Sequence, residues 1–252
     1  MSTTKATTGM SGKAVLVTGG SRGVGAATAV RLAREGADVA FTYVRDEVRA
    51  KEVAARIEAL GRTALPLRAD AAGAGDAAGA VEWAVDALGG LDVLVNNVGV
   101  GVVAPLEQLS LADVDRVLAV NVRSVFLASQ AAAARMPDGG RIVTIGTCMT
   151  QRVPGPGGTL YTMSKAALVG LTKALARELG GRGINANIVH PGPTDTDMNP
   201  ADGPYAQGQA AVTALGRFGT ADEVASMVAF LAGPEAAYVT GAEFSVDGGH
   251  AA

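Results

Sequence analysis

The sequence predicts an α/β fold: a single domain built on a Rossmann-type, doubly wound parallel sheet of about seven strands, with helices on both faces. Short apolar runs alternate with helical patterns along the whole chain, and such alternation is typical of parallel sheets. The chain has 252 residues, of which 48% are hydrophobic, so it can bury one large core. No long polar linker and no internal repeat divides it.

The apolar and amphipathic runs predict each element in chain order. The expected strands span residues 14–17, 37–43, 63–68, 91–95, 141–145, 184–189 and 243–246. The expected helices span residues 24–35, 46–60, 77–88, 111–135, 161–179 and 221–231. Residues 193–218 lack a clear pattern and follow a strand, which predicts a substrate lid. Residues 1–12 predict a flexible tail before a single domain at 13–252.

Composition restricts the partners. The net charge is -3 and no basic block occurs, which argues against nucleic acid. The single cysteine, Cys148, excludes an internal disulfide and suits the cytoplasm. No apolar run is judged long enough to span a membrane, and no signal-peptide core is found. The two histidines, His190 and His250, lack paired acidic or sulfur ligands, so we expect no metal site and assign both a structural role.

A glycine-rich turn, TGGSRGVG, joins the first strand to the first helix. Gly19, Gly23 and Gly25 permit a tight turn and a close approach of the backbone to phosphate. The helix N-terminus behind them favours an anion, so a dinucleotide pyrophosphate is expected here. The spacing G-x-x-x-G-x-G alone also fits a glycine turn without a ligand.

Tyr161 and Lys165 stand four residues apart at the start of a helical pattern, which puts them on one face. An ammonium near a phenol favours the phenolate, so we expect Lys165 to lower the pKa of Tyr161. Tyr161 could then donate or accept a proton near neutrality. Without further context, the same spacing fits an ordinary surface pair.

Several motifs in one order supply that context. TGGSRGVG, NNVG at 96–99, Asn121, YTMSK at 161–165, PGPTDTDM at 191–198 and VTGAEFSVDGG at 239–249 resemble the short-chain dehydrogenase/reductase family. The resemblance runs from about Lys13 to the C-terminus and extends to bacterial members named 3-oxoacyl carrier-protein reductases. It implies an NAD(P)-dependent oxidoreductase, commonly a homotetramer and otherwise a homodimer.

The resemblance also implies catalytic roles. Tyr161 would be the acid in reduction and the base in oxidation, and Lys165 would lower its pKa and hold the nicotinamide ribose. Asn121 would anchor a water that connects Lys165 to solvent, although a hydrogen-bonded core amide is the alternative. Thr147 would replace the family's serine and hold the substrate carbonyl, since it follows the fifth strand. Counting thirteen residues back from Tyr161 gives Cys148 instead, so the assignment stays open.

Cofactor preference depends on the end of the second strand. The matching residue, Tyr43, is not acidic, while Arg22 and Arg45 suit a 2′-phosphate. We therefore expect NADPH or NADP rather than NADH or NAD, with Asp46 and Glu47 as the counterargument. The expected cofactor-binding residues are Gly19, Ser21, Arg22, Gly23, Val24, Gly25, Tyr43, Arg45, Asp70, Ala71, Asn97, Gly99, Tyr161, Lys165, Pro191, Gly192, Thr194 and Thr196.

Taken together, these features predict an NADPH-dependent carbonyl reductase that acts on 3-oxoacyl or other small ketones. The expected substrate pocket is mostly apolar and is formed by Val100, Val102, Cys148, Val153, Met198 and Tyr205. The alternative is a non-catalytic nucleotide-binding or regulatory protein on the same scaffold. The intact Tyr161, Lys165 and Asn121 argue against it, because binding alone needs no tuned acid.

Overall fold

The computed structural model describes residues 9–252. Its strands are β1 (Ala14–Val17), β2 (Asp38–Tyr43), β3 (Ala64–Arg68), β4 (Val93–Asn96), β5 (Arg141–Ile145), β6 (Asn185–Pro191), β7 (Thr194–Asp195), β8 (Gly219–Thr220) and β9 (Glu243–Val246). Seven of them form one parallel sheet in the order β3-β2-β1-β4-β5-β6-β9, and β7 pairs with β8. The predicted seven-stranded parallel sheet is therefore confirmed.

Eight α-helices connect the strands of the described chain. They are α1 (Gly23–Arg34), α2 (Glu47–Glu58), α3 (Asp76–Leu88), α4 (Leu111–Leu118), α5 (Ser124–Arg135), α6 (Thr159–Leu179), α7 (Ala206–Ala211) and α8 (Ala221–Ala232). Helix α4 begins with a capping box between Ser110 and Asp113, and α8 with one between Thr220 and Glu223. These caps satisfy N–H groups that a helix start otherwise leaves unpaired.

Alternating side chains of the central strands fill two apolar layers. Val15 and Val17 point into the layer beneath α1, α2 and α8, where Phe41 is fully buried. Leu16, between them, points into the opposite layer with α3 and α5. Because successive side chains of a strand face opposite sides, an uninterrupted apolar strand is the sequence mark of a sheet covered on both faces.

The strand order reverses at β1. Val15 pairs with Val39 of β2 on one side and with Val93 of β4 on the other. In open parallel sheets, ligands bind in the crevice beyond the carboxyl ends of the strands at such a reversal. A ligand site is therefore expected at the segments that follow β1 and β4.

The predicted helix at 111–135 is interrupted. A π-helical turn, Ala119–Arg123, separates α4 from α5. The combined stretch Leu111–Arg135 is long and apolar enough to cross a membrane by length and composition, which corrects the sequence-based judgement. Val117, Val120 and Val125 are buried within the domain, as expected for a core helix.

Two segments at the edges of the fold differ from expectation. Part of the expected tail, residues 1–8, lies outside the described residues, but Met10 is 1% exposed and packs into the core, so the packed chain begins before residue 13. Residues 193–218 contain β7 and α7. Their role as a lid stays a prediction.

Candidate active site

The glycine turn between β1 and α1 requires the glycines that the sequence singled out. Gly19 and Gly23 have φ angles of 68° and 53°, in the left-handed region that favours glycine. A Cβ at Gly25 would lie 2.2 Å from the carbonyl oxygen of Gly19. No described side chain caps α1, and its first turn contains no acidic residue. Its free N–H groups therefore suit an anion.

The segment after β4 is hydrogen-bonded to this turn. Nδ2 of Asn97 donates to the carbonyl oxygens of Thr18 and Gly19, at 2.9 and 3.0 Å. Oγ1 of Thr18 accepts from the N–H groups of Asn97 and Val98, at 3.0 and 3.1 Å. The sequence analysis missed Thr18, although its position between a buried strand and the glycine turn was a usable signal.

The loop after β6 crosses to the glycine turn. The side chain of Thr196 would lie 3.3 Å from a Cβ at Gly23, so the two segments are in contact. At the base of the loop, a Cβ at Gly192 would lie 2.5 Å from the Cα of Asp247. Oγ1 of Thr194 donates to the carbonyl of Gly192 at 2.9 Å. The predicted loop thus contacts the glycine turn, and its binding of the cofactor stays a prediction.

Lys165 is buried beneath the ends of β4 and β5. Its side chain is 3% exposed and Nζ donates to the carbonyl oxygen of Ile145 at 2.8 Å. A Cβ at Gly99 would lie 3.1 Å from Nζ, so glycine at this position leaves room for the ammonium. Burial lowers the pKa of Lys165 to about 8.

Tyr161 lies one helical turn before Lys165 and keeps its proton at neutral pH. Burial raises the pKa of the phenol above its ordinary value, and a hydrogen bond with the Thr147 hydroxyl partly opposes this. The expectation that Lys165 lowers the pKa of Tyr161 is therefore wrong for this arrangement, because burial dominates and Nζ is bonded to Ile145. The protonated phenol is the form that can act as an acid.

The Thr147 hydroxyl, rather than the Cys148 thiol, is the neighbouring group that lowers the pKa of Tyr161 through a hydrogen bond. Oγ1 of Thr147 also accepts from the N–H of Met149 at 3.4 Å, which starts a short 3₁₀ turn. Cys148 is buried beside it, and burial raises the pKa of its thiol to about 11. A neutral thiol is a weak donor, so the geometry favours Thr147 for the carbonyl-holding role.

Asn121 lies in the π-helical turn and is fully buried. Its Oδ1 accepts from the N–H of Val100 at 2.8 Å, and its Nδ2 donates to the carbonyl of Val100 and to Oγ of Ser164, both at 2.9 Å. Oγ of Ser164 in turn donates to the carbonyl of Tyr161 at 2.7 Å. The amide therefore joins α4–α5, the loop after β4 and the start of α6. A hydrogen-bonded core amide is present, and the bound water stays a prediction.

Two cations stand at the expected ribose end of the crevice. Arg22, which precedes α1, and Arg45, which follows β2, are exposed, and neither makes an ion pair within residues 9–252. Tyr43 between them is half-buried. The guanidinium groups are available to a phosphate.

The nearby carboxylates are engaged by α2 itself. Asp46 accepts from the N–H of Arg49 at 3.0 Å and pairs with its guanidinium at 3.4 Å. Glu47 pairs with Lys51 at 2.8 Å, and this hydrogen bond lowers the pKa of Glu47. Asp46 and Glu47 therefore each have a basic partner on α2, although Arg49 also pairs with Asp197.

The expected adenosine wall follows β3. Asp70 is exposed and its Oδ1 accepts from the N–H of Ala72 at 3.0 Å, which turns the chain. Ala71 lines a small cavity together with Val98 and Thr18. The predicted pair is thus adjacent to the glycine turn.

The predicted substrate residues divide into two groups. Val100 and Val102 are half-buried and Cys148 is buried, and all three lie on segments that also carry site residues. Val153, Met198 and Tyr205 are 53%, 65% and 77% exposed, so the structure does not pack them into a closed pocket. Within the described residues, no cluster of three metal-ligating side chains occurs.

A small cavity at the sheet reversal, together with the half-buried Tyr161 and the buried Thr147 and Lys165, is typical of an oxidoreductase of the dinucleotide-binding class. A family model described as enoyl-(acyl carrier protein) reductase matches residues 19–251. The chain belongs to the short-chain dehydrogenase/reductase family. The fold and the family resemblance drawn from the sequence are both confirmed.

Three relatives illustrate the range of this family. The chain is 45% identical to the cyclic-di-GMP-binding biofilm dispersal mediator protein of Escherichia coli, over 94% of this chain and 96% of that protein. It is 37% identical to a 3-oxoacyl-[acyl-carrier-protein] reductase of Synechocystis, over 96% and 98%. A short-chain dehydrogenase from Burkholderia cenocepacia, solved in complex with NADP, is 53% identical with a TM-score of 0.96, over 97% and 100%.

Proposed function

We propose that this protein is an NADPH-dependent carbonyl reductase that converts a ketone to a secondary alcohol. The observation that carries the proposal is the protonated phenol of Tyr161, next to the Thr147 hydroxyl and one helical turn before the buried Lys165, on a chain whose helix α1 has an uncapped N-terminus. Reduction of a carbonyl needs a proton donor at the oxygen, and a phenol with a raised pKa holds its proton at neutral pH.

The residues of the crevice fit NADPH. The N–H groups of α1 and the glycines of its turn would hold the pyrophosphate, and the free Arg22 and Arg45 would hold the 2′-phosphate. The NADP complex of the 53% identical relative supports this assignment. When bound, NADPH supplies a hydride.

The chain's own residues would do the remaining work. Tyr161 would donate its proton to the carbonyl oxygen, while the Thr147 hydroxyl orients that oxygen. Lys165 would hold the nicotinamide ribose, and Asn121 would anchor a water that returns protons from solvent. Val100, Val102 and Cys148 would surround the carbonyl carbon with apolar surface, and residues 193–218 would cover it.

The test is NADPH consumption with a panel that contains an acetoacetyl thioester, a crotonyl thioester and small activated ketones. Tyr161→Phe should lose about 100-fold or more in turnover, since the general acid is removed. Tyr238→Phe is the matched control, because Tyr238 is fully exposed. Reduction of the crotonyl thioester alone would overturn the carbonyl assignment and favour the enoyl chemistry in the family model's description.

A second candidate is binding of cyclic di-GMP, favoured by the 45% identity to the dispersal mediator protein. The phosphates of that nucleotide would require cations, and Arg22 and Arg45 are the free ones beside the crevice. Cyclic di-GMP and NADPH would then compete for the same site. Calorimetric titration of the protein with cyclic di-GMP, in the presence and absence of NADPH, measures this competition. Binding without any ketone turnover would favour this regulatory reading.

Self-association and a cytoplasmic location stay predictions. Leu111, Phe126 and Met163 are 75%, 49% and 50% exposed on α4, α5 and α6, which supports helix-mediated assembly into a tetramer or dimer. Analytical ultracentrifugation of the wild type and Phe126→Asp measures this. A monomeric wild type would refute the expectation.

A further inference from the structure

His190 lies directly behind the candidate catalytic Thr147. It is in β6, where Val189 pairs with Ile145 of β5, and its side chain is 0% exposed. A Cβ at Gly146 would lie 2.5 Å from Nδ1 of His190. Glycine at position 146 therefore leaves room for the imidazole against the backbone that leads into Thr147.

The partners of the ring fix its tautomer. The N–H of Thr147 donates to Nδ1 at 3.2 Å, so Nδ1 carries no proton. The hydroxyl of Thr150 lies 3.4 Å from the same nitrogen, but it donates its proton to the carbonyl of Thr147 at 2.9 Å. The proton of the neutral ring is therefore on Nε2, which donates to Oε2 of Glu243 at 3.2 Å.

An ion pair holds the far side of this arrangement. Oε1 of Glu243 accepts from Nζ of Lys173 at 2.8 Å, and this bond lowers the pKa of Glu243. The chain of contacts therefore runs from Lys173 at the surface, through Glu243 and His190, to the backbone of Thr147. Each member has one orientation that satisfies both of its neighbours.

We propose that His190 is a positioning residue, which holds the Thr147 backbone so that its hydroxyl faces the Tyr161 phenol. This inference rests on the proposed role of Thr147 as the group that orients the carbonyl. If His190 gained a proton on Nδ1, two N–H groups would face each other and Thr147 would be released. Carbonyl reduction should therefore decline at acidic pH.

The charges around the ring set where that decline occurs. Burial lowers the pKa of His190, while Glu243, on β9, opposes this through its hydrogen bond and its charge, and a hydrogen bond with the backbone of Thr147 opposes it further. Lys165, on α6, adds to the lowering, and Lys173, on the same helix, reaches the ring only through Glu243. The net direction is downward, so the decline should lie below the ordinary histidine value of about 6.5.

Two variants separate positioning from bulk structure. His190→Leu removes the acceptor and should lower kcat/KM for the ketone about 10-fold, with unchanged NADPH affinity, because misplaced reacting groups slow chemistry. His190→Asn can offer an oxygen near the place of Nδ1, so it should restore most of the loss and abolish the acidic decline. His250→Asn is the control: its residue is buried too but does not contact Thr147, so the pH profile should not change.

A spectroscopic readout makes the inference independent of turnover. In isotope-labelled protein, His190 should show the tautomer protonated on Nε2, and the Thr147 amide resonance should shift as His190 titrates. An Nδ1-protonated ring, or a Thr147 amide indifferent to both titration and His190→Asn, would overturn the proposal even if His190→Leu fails to fold. Correct resonances without reduction of any ketone would instead sink the proposed function and leave the positioning intact.

Discussion

Replacing Lys165 with methionine should make the protein more stable and inactive at once. The ammonium is buried, and its pKa falls from 10.5 to about 8. A folded-state pKa below the unfolded one means that charging Lys165 opposes folding. At about pH 7, where both states are protonated, this opposition is about 3 kcal/mol. Loss of the bond to the Ile145 carbonyl returns about 1 kcal/mol, so Lys165→Met should gain about 2 kcal/mol in the free energy of unfolding.

The pH dependence supplies the sharper test. Between the two pKa values the unfolded chain binds more protons than the native protein, so wild-type stability from this group rises with pH. The advantage of Lys165→Met should shrink by about 2 kcal/mol between about pH 7 and about pH 9.5. The raised pKa of Tyr161 makes the contribution of this residue to stability fall as the pH rises, which is opposite to the effect of Lys165. Because Tyr161 is present in both proteins, its contribution to the difference largely cancels.

Urea unfolding of wild type and Lys165→Met at several pH values measures this difference. Lys173→Met is the matched control, since Lys173 is largely exposed and its variant should show no such pH-dependent gain. A variant that is less stable than wild type at neutral pH, or a difference that does not vary with pH, would refute the reasoning that burial opposes the charge. Ketone reduction by Lys165→Met should be lost in either case.

Three further predictions concern the nucleotide crevice. Gly25→Ala should abolish NADPH binding in fluorescence titrations, because its Cβ would overlap the Gly19 carbonyl, whereas Gly79→Ala, in open space, should bind normally. The double variant Arg22→Ala/Arg45→Ala should bind NADPH about 10-fold more weakly and bind NADH with unchanged affinity. Equal weakening of the binding of both nucleotides would contradict the 2′-phosphate assignment. Thr18→Val keeps the shape but leaves two backbone N–H groups unpaired, so thermal or urea unfolding should report a loss of about 2 kcal/mol.

The sheet was predictable because its strands are short, apolar and separated by helical patterns. The strand boundaries agree within about two residues because burial on both faces leaves a distinct apolar run. The break in the helix at 111–135 was not predictable, since a π turn inserts one residue without changing composition. Asn121 occupies that turn, and its partners come from two distant segments.

The sequence allowed a prediction of the candidate site where the chemistry requires one residue type, as at the glycine turn and the Tyr161–Lys165 pair. The electrostatics of the candidate site could not be predicted. The raised pKa of Tyr161 is caused mainly by burial, which a four-residue spacing does not show. His190 was assigned a structural role because its contact with Thr147 joins residues 43 positions apart. Long-range contacts of this kind require the folded backbone.

The contact between Thr196 and Gly23 has a kinetic consequence. A nucleotide bound at the glycine turn would lie beside the loop that carries Thr196, and a ketone bound above the nucleotide would hinder its release. We therefore expect an ordered cycle, in which NADPH enters first and NADP leaves last, so that cofactor exchange rather than proton transfer limits the steady-state rate.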